Sequence, residues 1–387
     1  MRLTKIIGFA VLTGVFAILA TAVPPAAPSA KTQKKTKKKI QKKSATSVAP
    51  KKTAKRPVRK RYSPWSEPTY ADSTIGDSVD GEDLVVRRAA VEALGRYNGS
   101  VVVVDPNTGR VLTMVNQRLA LKSGFQPCST IKLPVAMGAL IEGIIDRETQ
   151  VRIYGRTRLN LTEAIARSNN PFFATLGIKL GFERFSYYAR LFGLGEKAGL
   201  NIDGEQPGVF PAEPKGLNVG VMSSFGEGIS LTPLQLAAML STLANSGTLY
   251  YLQYPRSNEE VRDFAPRVKR HLDIEQWLPE VKPGMMAAVE YGTARRANYD
   301  PQVPVLGKTG TCTDNRTHLG WFGSFNDVGS HKLVVVVLLT GGRGVSGSAA
   351  AEVAGNTYKH LSQENFFARA REFSPAALVS TQSCCAQ

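Results

Sequence analysis

The chain has 387 residues, enough for one large domain or two ordinary ones. Its net charge of +18 sits in the N-terminal tail: residues 1–61 hold 17 Lys and Arg and no acid, leaving 32 bases against 31 acids elsewhere. That near-neutral remainder excludes a nucleic-acid-binding surface on the globular part. The four cysteines form no C-x-x-C, and the four histidines are scattered singly. That pattern argues against a structural zinc site, and no metal or cofactor is expected.

Arg2 and Lys5 precede an uncharged apolar run from Ile6 to Val23, a positively charged n-region followed by a long h-region. Its 18 residues are just sufficient for a spanning helix and long for a signal peptide. Ala20-Thr21-Ala22 offers a small-residue cleavage site, so residues 1–23 read as a signal peptide or a retained membrane anchor. The basic block Lys31 to Arg61 runs against the positive-inside preference of an uncleaved anchor. Export is the expectation, to the periplasm or the outer face of the cytoplasmic membrane. Residues 24–66 are rich in Lys, Pro, Ala, Ser and Thr and cannot bury enough surface to offset their ordering entropy. They are expected to form a disordered linker, with electrostatic adhesion to anionic lipid or envelope polymer as its sharper use.

Folded structure is expected to begin near residue 80, within a domain drawn at 67–371 and followed by a flexible tail at 372–387. Glu82 to Tyr97 has a helical apolar pattern ending at Asn98-Gly99. Val101 to Val104, a turn at Asp105 to Gly109, and Val111 to Val115 predict strand, turn and strand. The four-valine run suggests a strand buried on both faces. Gln126 to Lys132 then runs into the apolar segment Leu133 to Ile145, read as a buried helix whose first turns Pro134 should bend or loosen. Asn160 with Glu163 reads as an N-cap and its partner, opening a helix that Pro171 is expected to end. Phe172 to Leu180 and Arg184 to Leu191 follow as helices broken by Gly181, and Thr232 to Gln235 is a capping box with proline at N1. A helix over Pro283 to Val289 precedes strands at Val303 to Thr311, His318 to Phe325 and Lys332 to Thr340, and Ala349 to Phe367 closes the fold. Strands at both ends with helices between predict an α+β fold: an antiparallel sheet built from the two ends of the domain and packed with helices and a helical subdomain.

Three short motifs carry the chemistry. Ser129 and Lys132 lie three residues apart at a helix start, on one face. An amine can activate a hydroxyl only when unprotonated, so burial or a neighbouring cation must lower the lysine from its usual ~10.4. Ser168 and Asn170 place a hydroxyl and an amide at a helix terminus. Lys308-Thr309-Gly310-Thr311 sits on a strand whose alternation sends Lys308 and Gly310 to one face and Thr309 and Thr311 to the other. Glycine there admits a close neighbour. S-x-x-K, S-x-N and K-T-G in this order form the signature of penicillin-binding proteins and class A β-lactamases, with Asn169 here in place of the usual aspartate.

The resemblance to the transpeptidase domain of penicillin-binding proteins covers roughly Gly99 to Leu361. It includes Val103 to Gly109, Ala164 to Asn170, Gly226-x-Gly228 with Thr232 to Ala237, Gly292-Thr293-Ala294, and Gly307 to Thr311. It implies a five-stranded antiparallel sheet among helices, and a serine acyltransferase acting on D-Ala-D-Ala-ended peptidoglycan stem peptides. Ser129 would then be the nucleophile and Lys132 the base, a contribution of about 10²–10⁴ in rate. Ser168 would relay a proton to the departing amine, and Asn170 would contact substrate and Lys132. Lys308 would draw the substrate carboxylate, with Thr309, Gly310 and Thr311 along the same strand. The backbone N–H groups of Ser129 and Thr311 would form the oxyanion hole, about 10²–10³ in rate per donor. β-Lactams would acylate the same serine.

Transpeptidase and carboxypeptidase outcomes stay open, and two rivals stand beside them. A class A-like β-lactamase would need a glutamate in an E-x-x-L-N loop, whereas the strings at Glu196 and Glu213 are each one residue too long. A class D-like enzyme shares the proline after the lysine but typically has S-x-V where this chain has Asn170. A non-catalytic penicillin sensor would need a signalling region, for which the five residues before the apolar run leave no space. Residues 67–98 likewise leave no room for a glycosyltransferase module or a large pedestal domain. Gly226-x-Gly228 lacks the strand and helix frame of a nucleotide loop. If the resemblance holds, Cys128 and Cys312 both approach the site, and oxidation could pair them, although spacing alone does not decide it. No physical account attaches to Cys384 and Cys385.

Overall fold

The computed structural model describes residues 64–122, 124–200, 202–297, 303–327 and 331–367. The apolar run, the linker up to residue 63 and the C-terminal tail with Cys384 and Cys385 lie outside the described residues. In chain order the strands are β1 (Gly99–Val104), β2 (Val111–Val115), β3 (Val151–Tyr154), β4 (Thr157–Leu159), β5 (Thr248–Tyr250), β6 (Val268–His271), β7 (Val305–Asp314), β8 (Thr317–Asn326) and β9 (Val334–Gly341). The helices are α1 (Leu84–Leu94), α2 (Gln117–Ala120), α3 (Lys132–Ile141), α4 (Leu161–Ala166), α5 (Asn170–Leu191), α6 (Val219–Phe225), α7 (Pro233–Ala244), α8 (Asn258–Arg262), α9 (Leu278–Glu290) and α10 (Gly347–Gln363).

Five strands form one antiparallel sheet in the order β2-β1-β9-β8-β7, so the N-terminal hairpin completes a sheet begun by the C-terminal strands. The valine run explains how this sheet is held. Val102 and Val104 point into a core shared with α3, α5 and α7, while Val101 and Val103 point into a second core with α1 and α10. The strand is therefore buried on both faces, as its unbroken apolar run predicts. A fully buried valine contributes about 1.5–3 kcal/mol over an exposed one, which makes β1 and its neighbour β9 the anchor of the fold.

Several boundaries differ from the sequence reading. Pro171 does not end the Asn160 helix. That helix stops at Ala166, and Pro171 sits in the first turn of α5, where its missing N–H would have had no partner anyway. Gly181 breaks α5 with φ 70°, as expected. The helix expected from Pro283 starts earlier, at Leu278, and carries Pro283 inside it. The small hairpins β3–β4 and β5–β6 and the helices α2, α6 and α8 went unassigned, being short and only partly apolar. Contacts also begin well before residue 80, and inside the segment expected to be linker. Ser66 N–H donates to Arg316 O, Arg316 Nε donates to Pro64 O, and the Trp65 ring packs 4.2 Å from that of His318.

Candidate active site

The turn that carries Ser129 is tighter than the helix expected there. Cys128–Ile131 form a 3-10 turn before α3 begins at Lys132. Pro134 occupies the third residue of α3, inside the first turn, where a proline leaves no broken bond behind. Residues i and i+3 eclipse in 3-10 geometry, which brings Lys132 Nζ to 2.9 Å from Ser129 Oγ. The turn is clamped from both sides. A Cβ on Gly226 would collide with the Pro127 ring, and one on Gly310 would stand 3.0 Å from Pro127 O and 3.2 Å from Cys128 Cβ. Gly226 thus belongs to packing against the Ser129 turn, with Phe225 O accepting a bond from Gln126 Nε2. Trp321 Nε1 donates to Gln126 O from β8. A disulfide joins Cys128 to Cys312, with Cα atoms 5.6 Å apart.

Ser168 stands in the link between α4 and α5. Its φ is 54°, left-handed for a residue with a side chain, a conformation that persists only where the surroundings impose it. The surroundings are two helix ends: Ser168 N–H donates to Ile165 O, and Asn169 accepts the Phe172 N–H at 2.9 Å as the N-cap of α5. The middle residue of S-x-N is therefore a cap, and asparagine serves there as well as aspartate. Asn170 Oδ1 lies 2.6 Å from Lys132 Nζ, and Ser168 O lies 2.7 Å from it.

Strand β7, the free edge of the sheet, brings the third motif. Lys308 Nζ donates to Ser168 Oγ at 2.8 Å and to Thr309 O at 3.0 Å. Thr309 is buried, its hydroxyl 2.6 Å from that of Thr293. Thr311 is exposed, and its hydroxyl accepts the Gly347 N–H at the start of α10. Ser129, Lys132, Ser168, Asn170 and Lys308 thus form one hydrogen-bonded cluster, with Gly310 against the nucleophile turn and Thr311 beside it in sequence. Thr293 and Phe173, whose ring lies 5.5 Å from Lys132 Nζ, were not singled out from the sequence. The Gly292-Thr293-Ala294 string was visible without a role, and an aromatic five residues after Ser168 carries no signal of its own.

The site is layered by polarity. Ser129 and Ser168 are half-buried and Asn170 is exposed, while Lys132 and Lys308 beneath them have 0% exposure. Burial, and then the charge of Lys308, lowers Lys132 to about 6, and burial lowers Lys308 to about 7. At neutral pH Lys132 is then an amine with two hydrogens and one lone pair. Ser168 O and Asn170 Oδ1, its two shortest contacts, can accept both hydrogens, which leaves the lone pair for one of the two hydroxyls in reach, Ser129 Oγ or Ser168 Oγ. Ser129 is thereby paired with a base inside hydrogen-bond reach, the arrangement that acyl transfer requires. Among the described residues no carboxylate is hydrogen-bonded to Ser129 or Lys132. Glu196 pairs with Lys269 and Arg270, and Glu213 is exposed. A cavity of about 790 Å³ opens elsewhere, lined by Tyr254, Arg256 and Glu260 among others, and includes none of the site residues.

Comparison with known proteins gives the family and the fold. The family model described as penicillin binding protein transpeptidase domain matches residues 99–359. Stage V sporulation protein D of Bacillus subtilis is 29% identical over 76% of this chain and 54% of its own length. Peptidoglycan D,D-transpeptidase FtsI of Escherichia coli K12 is 30% identical over 52% of this chain and 42% of its own. The chain spans about half the length of these curated relatives. Among solved structures, Pseudomonas aeruginosa PBP2 in complex with WCK 5153 superposes with a TM-score of 0.62 at 24% identity, covering 72% of this chain and 77% of that one. The last likeness establishes the fold.

Proposed function

This chain belongs to the penicillin-binding protein transpeptidase domain family, and on that premise we propose that it is a serine acyltransferase acting on D-Ala-D-Ala-ended stem peptides of peptidoglycan. The observation that carries the reading is the state of Lys132: shielded from solvent, lowered to about 6, and 2.9 Å from Ser129 Oγ. Ser129 Oγ gives its proton to Lys132 Nζ and bonds to the carbonyl carbon of the penultimate D-alanine. The negative charge that develops on the carbonyl oxygen is met by the backbone N–H groups of Ser129 and Thr311. The C–N bond then breaks, the proton reaches the departing D-alanine amine through Ser168 Oγ, and an ester remains on Ser129. Lys308 and Thr311 draw the terminal carboxylate, and the free edge of β7 suits an extended peptide. Thr309, held by Thr293, sets the strand rather than touching substrate.

The ester passes to a peptide amine in a transpeptidase and to water in a carboxypeptidase. We favour the amine, because the relatives that match this chain include a protein named as a peptidoglycan D,D-transpeptidase. The missing carboxylate disfavours a class A-like β-lactamase, and Asn170, where class D-like enzymes typically have valine, disfavours that alternative. The proposed substrate class supports action outside the cytoplasm, with Ile6 to Val23 as signal peptide or retained anchor and electrostatic adhesion of the basic segment 31–61 to anionic envelope polymers as part of the same proposal.

Fluorescent penicillin tests the reading. Wild type should hold an adduct for minutes to hours, and Ser129→Ala should hold none. With a pentapeptide and an amine acceptor, the cross-linked product should exceed the hydrolysed one. Rapid penicillin turnover, or equal D-alanine release by wild type and Ser129→Ala, would show the reading to be wrong.

A further inference from the structure

We propose that the Cys128–Cys312 disulfide is the positioning device of the oxyanion hole, so that acylation of Ser129 depends on the oxidised pair; this rests on the acyltransferase reading above. The two N–H donors assigned to that hole belong to different elements 182 positions apart in sequence, and each is one residue from a half-cystine. Ser129 directly follows Cys128, and Thr311 directly precedes Cys312. Among the described residues no other disulfide joins the turn to the strand.

Local structure shows why such a link matters. Cys128 is fully buried with φ 50°, so the residue before the nucleophile is held in a conformation that side chains disfavour. Strand β7 is an edge strand paired only with β8, and at Thr311 and Thr313 it is exposed. Gly310 lets the turn lie against the strand, but it offers no side chain to hold it there. The bridge fixes the turn to the strand one residue beyond the donor. A displacement of about 1 Å in a reacting constellation costs about 10²-fold in rate, so a tie at this point acts on the transition state. Reduction is chemically accessible, because Cys312 is half-buried while Cys128 is not exposed. A thiolate of a small dithiol attacks Sγ of Cys312, and Cys128 leaves as thiolate and takes a proton. The second thiol of the dithiol then releases Cys312, so two electrons and two protons pass to the protein and the dithiol leaves as a disulfide.

The test measures acylation by fluorescent penicillin, resolving the rate constant of the covalent step from the dissociation constant of the preceding complex. It compares oxidised wild type, dithiothreitol-reduced wild type with its freed thiols counted, and the Cys312→Ala variant, at a temperature where circular dichroism shows all three folded. The covalent step should fall about ten- to a hundred-fold on reduction and in Cys312→Ala, with the dissociation constant unchanged. Reoxidation should restore the wild type only, and dithiothreitol should leave Cys312→Ala unaltered. Equal covalent rates before and after reduction overturn the proposal. So does a loss shared by both constants, the mark of general loosening, or the absence of a disulfide in oxidised protein. Oxidised wild type that takes no label at Ser129 overturns the acyltransferase reading as well, which separates the two failures.

Discussion

Lys132 and Lys308, both fully shielded from solvent, reach one hydroxyl: Ser168 Oγ lies 3.1 Å from Lys132 Nζ and 2.8 Å from Lys308 Nζ. Two ammonium groups around one oxygen repel, and burial disfavours each charge further, so a single proton on the pair is the stable state near neutrality. Lys132, which has the lower value because burial and the charge of Lys308 both act on it, is the partner that stays neutral.

This sets the pH dependence of acylation. The second-order rate with penicillin should rise as Lys132 loses its proton near about 6 and fall as Lys308 loses its own near about 7, giving a narrow bell for the free enzyme. Lys308→Met should erase the falling limb. It should also move the rising limb to higher pH, because the charge of Lys308 is the second cause of the lowered Lys132 value. A stopped-flow pH series on both proteins checks it, and a rising limb unmoved in the variant would contradict the shared-proton arrangement.

The same two amines make stability depend on pH, in the direction opposite to a salt-bridged lysine. Folded, they lose their protons by about 6 and about 7, while in the unfolded chain they hold them to ~10.4. Between pH 7 and 10 the unfolded state therefore binds more protons, and stability rises with pH, at most by about 1.4 kcal/mol per unit for each lysine. Urea unfolding at pH 7, 8 and 9 should show this slope. Lys132→Met combined with Lys308→Met should flatten it, whatever its effect on absolute stability.

A second buried cluster fastens the segment before α1 to the sheet. Glu82 accepts from Arg87 at 3.0 Å, Thr113 Oγ1 at 2.7 Å, the Met114 N–H at 2.8 Å and Tyr254 OH at 2.7 Å. Glu82→Leu leaves these donors and a buried guanidinium short of a partner, although Asp77 still holds the other arm of Arg87. The expected loss is about 3 kcal/mol, read as a lower urea midpoint at unchanged slope. Acylation at 25 °C should stay within about twofold, because no atom of the cluster is bonded to the site.

What was legible in the sequence follows from what is local. The valine run, the capping box at Thr232 and the three motifs each announce themselves within a few residues, and the structure brings Ser129, Lys132, Ser168, Asn170 and Lys308 together as their order implies. Pro171 was misplaced because a proline punctuates both the end of one helix and the start of the next, and only the Asn169 cap decides between them. Trp65 looked like linker because its neighbours, His318 and Gly342, lie more than 250 residues away. The Cys128–Cys312 pairing was open for the same reason, since it depends on β7 lying against the Ser129 turn.

Asn169 gives the last prediction, because it separates placement from chemistry. Its side chain is hydrogen-bonded to neither amine; it accepts the Phe172 N–H and, as the N-cap next to Ser168, starts α5 at Asn170. Asn169→Asp keeps an acceptor of the same length, adds a favourable charge at a helix N-terminus, and should leave acylation within about twofold of wild type. Asn169→Ala removes the cap, which costs about 1 kcal/mol in stability. It also frees Ser168 to leave its left-handed conformation, so Ser168 Oγ no longer bridges the two amines. Acylation should then fall by more than the stability loss accounts for, at a temperature where the variant is fully folded. Thermal melts and penicillin kinetics on the two variants side by side check this. Equal rates in Asn169→Ala and wild type would mean that Ser168 keeps its place without the cap, held by the lysines alone.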